Sequence, residues 1–153
     1  MKQTKQSSSP ATFISVTGTI LGVSYPVLAL STGVRAVYQL FFKEGVTDYV
    51  GPSLTAVAAL VYILATVGFA YRRQWSWYLS VIALLFEVVL VVIVGGLSVF
   101  RPDAFANTSW RYFGIDYAFF PLIQPFLGLV WLSRPGVRQL YGVSITRQND
   151  NSK

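Results

Sequence analysis

Residues 75–99 read WSWYLSVIALLFEVVLVVIVGGLSV, and Glu87 is the one charged side chain among them. A bilayer-spanning helix takes about 20 mostly apolar residues, and this run supplies more than enough. Its centre, VVLVVIV at 88–94, would favour a strand in water. In hydrocarbon the backbone has to satisfy its own polar groups. A continuous apolar run does that as a helix, whereas a membrane barrel would show alternation.

The rest of the chain follows the same pattern. Uncharged apolar runs cover 13–34, 53–71 and 117–133, and with 75–99 they predict four spans. The last is short and carries Pro121 and Pro125. The predicted organisation is a polar tail at 1–12, a transmembrane domain at 13–133 with a loop at 101–116, and a basic tail at 134–153. The fold class expected is therefore all-α, an integral membrane four-helix bundle. Composition agrees: of 153 residues, 54% are hydrophobic and 12% charged, with mean hydropathy +0.53. A soluble domain is about a quarter charged.

Charge sets the expected orientation. With the N-terminus in the cytoplasm, the inside holds Lys2, Lys5, Arg72, Arg73, Arg134, Arg138, Arg147 and Lys153 against Asp150. The outside holds Arg35, Lys43, Arg101 and Arg111 against Glu44, Asp48, Asp103 and Asp116. This is the positive-inside pattern, with both termini cytoplasmic in a multi-pass protein of the cell membrane. The net charge of +6 is thus a topology signal, and no nucleic-acid partner is expected. Trp and Tyr near the span ends, Trp110 and Trp131 among them, read as interfacial belts. A cleaved signal peptide ending near Ala29-Leu30-Ser31 is the rival reading of span one, but its apolar run is long for that role.

Chemistry is sparse. There is no Cys and no His, which removes thiol chemistry, the usual general base and the commonest metal ligand. The six carboxylates are scattered, so no catalytic, metal or cofactor site is expected. Three surfaces remain. Ser15, Gly18, Gly22, Pro26, Ala29 and Gly33 recur at helical spacing and predict a close-packing face, for the chain's own spans or for a partner. Arg101, Asp103, Trp110, Arg111 and Tyr112 give the loop an interface-like composition, equally that of a loop anchored among headgroups. Glu87 falls near mid-span, where a charge costs about 2.5–3.5 kcal/mol on insertion scales. It is expected to be protonated or hydrogen-bonded. Ser24, Tyr25, Tyr62 and Gln124 fall at a similar depth in the other spans.

The stretch Arg101-Pro102-Asp103 … Thr108-Ser109-Trp110-Arg111-Tyr112-Phe113-Gly114, then Pro121-Leu122-Ile123 and Leu127-Gly128-Leu129-Val130-Trp131-Leu132-Ser133-Arg134, resembles the small uncharacterised four-span membrane proteins of actinobacteria. The resemblance implies a four-span fold and brings no catalytic motif. Small multidrug exporters have a similar size and an essential glutamate in the first span. Here span one has no carboxylate. The function expected is that of a non-catalytic accessory or stabilising subunit of a membrane assembly, or a small homo-oligomer. The alternative is a proton- or cation-coupled transporter or channel using Glu87.

Overall fold

In the computed structural model, which describes residues 10–143, every regular element is helical. Helix α1 spans Pro10–Val37 and runs through Pro26. A π-helical turn, Tyr38–Phe42, prolongs it, closed by the Lys43 N–H on the Tyr38 carbonyl. So α1 reaches further than the expected boundary near 34, and the region after it starts as more helix. Helix α2 spans Val50–Ala70, α3 Gln74–Phe100, α4 Phe120–Leu132 and α5 Pro135–Leu140. Pro52, in the first turn of α2, needs no backbone donor there. Lys2, Lys5, Arg147, Asp150 and Lys153, on which part of the expected orientation rests, lie outside the described residues.

Among the described residues, three helices are long and apolar enough to cross a membrane. The fourth expected span takes a different form. Its helix has 13 residues, which cover about 20 Å against a hydrocarbon core of about 30 Å. Two short 3-10 turns, Arg111–Phe113 and Ile115–Tyr117, precede it and meet it at 94°. Pro121, fixed in φ and lacking an N–H, starts α4 well, while Tyr112, Phe113, Ala118 and Phe119 all take left-handed backbone before it. The bent pair counts as one broken span or as a re-entrant loop.

Each helix packs chiefly on its neighbour in sequence, α1 on α2, α2 on α3 and α3 on α4, with α4 touching α1 sparingly. The buried face of α3 carries Ser76, Ser80, Ala83, Glu87, Val91, Val94 and Ser98. Steps of four and three keep these residues on one side, as in left-handed bundles. The opposite face exposes Ile82, Leu85, Phe86, Val89, Val92 and Ile93. The arrangement is inside-out relative to a soluble protein, which rarely exposes a contiguous apolar patch beyond a few hundred Å².

One end of the bundle gathers Arg72, Arg73, Arg134 and Arg138; it is called the turn end below. There the Trp77 indole donates to the Leu132 carbonyl at 3.1 Å, and the Arg138 guanidinium lies 5.3 Å from the centre of the Trp77 ring. The other, the loop end, is closed by residues 101–119. Asp116 pairs with Arg111 at 2.8 Å and with Arg35 of α1 at 3.6 Å. The Thr55 hydroxyl donates to the Asn107 carbonyl at 2.9 Å, and the Tyr112 N–H donates to the Ser98 hydroxyl at 2.8 Å.

Candidate functional site

Four helices and the loop converge on a buried polar layer. Glu87, at the centre of α3, has no exposure to solvent. The Tyr25 hydroxyl of α1 donates to its Oε2 at 3.1 Å. Its Oε1 has no hydrogen-bond partner. Tyr62 of α2 is equally buried, and its ring centre lies 6.2 Å from that of Tyr25. The Trp110 indole reaches in from the loop and faces the Tyr62 hydroxyl, although neither atom has a hydrogen bond of normal geometry. Gln124 of α4 is buried with both amide atoms unpartnered. Its level follows from the antiparallel register of α3 and α4. Gly128 lies against Leu84, so Gln124, one turn back along α4, stands opposite the Glu87 turn. Ser24 is half-buried and makes only a local contact to the Leu21 carbonyl at 3.4 Å.

The layer is a carboxyl group with one oxygen held by a phenol and one without a partner, among further unpartnered groups. Native proteins leave few buried polar atoms unpaired. Such a group can hold a proton or accept a donor; nucleophilic or metal chemistry has little to work with. Among the described residues, no three of His, Cys, Asp and Glu come together as metal ligands would.

The small-residue stripe of α1 is split by the structure. A Cβ on Gly18 would stand 2.6 Å from a Trp131 ring atom, and one on Gly33 would meet Ala59 at 3.9 Å. Gly22 has nothing within 4 Å, and Gly22, Pro26 and Ser15 are exposed. The face of α1 that enters the core is instead Leu21, Tyr25, Leu28, Thr32 and Ala36, whose larger side chains fill the space between helices. Ala29 and Gly33 stand half-buried at its edge. With Pro26, Val34, Val37 and Thr66 they line an open apolar groove of about 730 Å³ between α1 and α2.

The loop residues also separate. Arg101 and Asp103 are exposed, while Arg111 and Tyr112 are half-buried. Trp110 corrects the reading of an interfacial or partner-facing aromatic: it is fully buried, together with Thr108 and Ser109. The cause is the short α4. Loop backbone and the Trp110 ring fill the volume that a full-length fourth helix would occupy. Trp131 likewise is buried against other side chains, between Phe69 and Tyr141 near the turn end of the bundle. Ser80 and Ser98 join Glu87 on the buried face, and their spacing to it, by seven and eleven, is the sequence sign of one polar helix face.

No family model matches the chain, and neither a curated protein nor a solved structure is detectably similar to it.

Proposed function

We propose that the chain is a multi-pass protein of the cell membrane, with both termini cytoplasmic, and that its task is non-catalytic: lateral assembly with a membrane partner or with further copies of itself. The observation that carries this reading is the groove between α1 and α2. It is apolar, open, about 730 Å³ in volume, and floored by Pro26, Ala29 and Gly33, where backbone can be approached closely. The inside-out distribution of side chains supports the bilayer. The separation of Arg72, Arg73, Arg134 and Arg138 from Glu44, Asp48, Asp103 and Asp116 along the sequence supports the orientation.

The chain has no cysteine, so a single introduced one reports cleanly. Val34→Cys, in the groove, should form crosslinks in native membranes to a partner or a second copy. Val92→Cys, on the exposed face of α3, should not. Equal silence at both positions would leave the groove to lipid and remove the assembly reading.

A second reading rests on the unpartnered Glu87 Oε1, Tyr62 hydroxyl and Gln124 amide: a proton- or cation-coupled carrier built on the polar layer. Neither of the two open grooves described here is lined by Glu87, which favours the first reading. Glu87→Gln separates them. It keeps shape and hydrogen bonding, so an assembly protein keeps its partner and stability. A proton carrier folds normally and stops working.

A further inference from the structure

The sparse contact between α1 and α4 leaves a second cleft, about 590 Å³, at the turn end. Its walls are Ser15, Gly18 and Thr19 of α1, Phe69 at the end of α2, Trp131 of α4, and Leu140 and Tyr141 from α5 and just past it, with Arg72 at the mouth. The volume lies within the usual range for small-molecule sites, about 300–1,000 Å³. Its chemistry is two-sided. Phe69 and Trp131, their rings tilted at 54° with centres 5.8 Å apart, form an apolar floor. Arg72 forms an exposed polar rim, and the nearly buried Tyr141 side chain lines the cleft behind it.

Charge decides what fits the rim. Among the described residues no carboxylate pairs with Arg72. The two ion pairs of Asp116 are at the loop end, and Glu87 is sealed in the core. Burial pushes the Tyr141 phenol up to about 12, with Arg72 near enough to pull it back in part. At neutral pH it is therefore a neutral donor, held only by a long contact of 3.5 Å to the Gly68 carbonyl. A guanidinium and a hydroxyl donor over an aromatic floor suit a phosphate with an apolar tail.

We infer that this cleft binds an anionic phospholipid, with its phosphate on Arg72 and Tyr141 and the start of an acyl chain along Phe69, Trp131 and Leu140. The inference rests on the membrane reading above and adds a site to it. General attraction of a basic surface to anionic lipid would be spread over all four arginines. The cleft concentrates it on one.

The test uses the full chain in neutral detergent, titrated with phosphatidylglycerol, phosphatidylcholine or inorganic phosphate, and read by native mass spectrometry and thermal midpoint. Phosphatidylglycerol should bind and raise the midpoint; phosphatidylcholine and inorganic phosphate should not. Arg72→Gln, at an exposed position, should weaken phosphatidylglycerol binding about tenfold, the loss of one charge-assisted hydrogen bond. Arg101→Gln, at the loop end, should leave it unchanged. Equal loss in both variants, or equal protection by phosphatidylcholine, overturns the site. Equal protection by inorganic phosphate overturns the lipid and leaves a free-anion site. Retention of the chain in membranes after an alkaline wash tests the membrane reading separately. A retained chain that ignores phosphatidylglycerol refutes the cleft alone.

Discussion

The loop end and the turn end close the same bundle by different means. At the loop end α4 stops short, and non-helical backbone does the filling. Four non-glycine residues between 112 and 119 take left-handed φ, between 44° and 62°. Each such residue costs of the order of 1–3 kcal/mol, so the surrounding packing has to hold them in place. It does so through a fully buried Trp110, the Ser98 and Thr55 hydrogen bonds, and the ion pairs of Asp116. The turn end has no comparable strain. A short linker held by the Ser76 hydroxyl, a six-residue α5 and the Trp77 indole hydrogen bond help to close it, and a cleft stays open beside Arg72. Burial of Trp110, Thr108 and Ser109 at the loop end holds the irregular backbone in place. At the other, Leu132, Val137 and Tyr141 are buried as well, and an open cleft of about 590 Å³ remains beside the exposed Arg72.

The largest expected effect tests that asymmetry directly. Trp110→Ala removes a fully buried ring and should cost about 3–5 kcal/mol of stability. Trp77→Ala, half-buried at the turn end, should cost less, about 1–3 kcal/mol, including its hydrogen bond to Leu132. Unfolding of both variants in the same micelles gives the ranking. If Trp77→Ala is the costlier, the bundle is closed from the turn end and the loop is a passenger.

Next comes the face of α1. Leu21 is 1% exposed, so Leu21→Ala should cost about 2–5 kcal/mol. Gly22, one residue on, faces open space, and Gly22→Leu should stay within about 0.5 kcal/mol. This reverses what the small-residue stripe alone suggests. A large loss of stability from Gly22→Leu would return the stripe to the core. A change in complex size without loss of stability would assign it to a partner.

That reversal marks what the sequence could and could not reveal. The helices were legible because long continuous apolar runs without alternation fit a helix and not a barrel strand, and their number was legible to within the broken fourth. Rotation about each helix axis was not. In a membrane helix the lipid side and the core side are both apolar, so periodicity is weak, and Leu21 and Val23 look alike until packing separates them. Glu87 and Tyr25 stood out as polar groups in apolar surroundings. Trp110 did not, because an aromatic beside an arginine in a loop reads equally well as an interfacial anchor. Its burial follows from the short α4, a tertiary consequence of Pro121 and the left-handed turn before it that no local pattern encodes.

Between the two ends, the polar layer offers a sharper contrast than either. Tyr25→Phe takes the donor from Glu87 Oε2 and leaves the carboxyl group with no partner among the described residues. That should cost about 1–3 kcal/mol, the penalty of an unsatisfied buried group. Combining it with Glu87→Leu should recover most of the loss, since removing both partners of a buried polar pair is often neutral. A double variant as unstable as the single one would mean that Glu87 has other partners to lose, with Tyr62 and Gln124 the first to examine.

The smallest effect belongs to Asp116, and salt is what makes it informative. Its partners Arg35 and Arg111 are about a third exposed, and Asp116 itself about a quarter. Pairs in that setting contribute about 0–1 kcal/mol, because solvent screens them and long side chains lose freedom on pairing. Asp116→Asn should therefore lower the unfolding midpoint slightly at low ionic strength. The loss should fade as the Debye length falls from about 30 Å at 0.01 M salt to about 3 Å at 1 M. The turn end should answer in the opposite sense. Arg72 and Arg73 are neighbours in one turn with no carboxylate paired to Arg72 among the described residues, so added salt relieves their repulsion. Arg72→Gln should then gain a little stability at low salt and nothing at high salt. If Asp116→Asn instead costs the same at every ionic strength, the ion pairs are shielded from solvent by the loop. Asp116 would then be a structural anchor of the 101–119 closure, with an effect ranked beside that of Trp110.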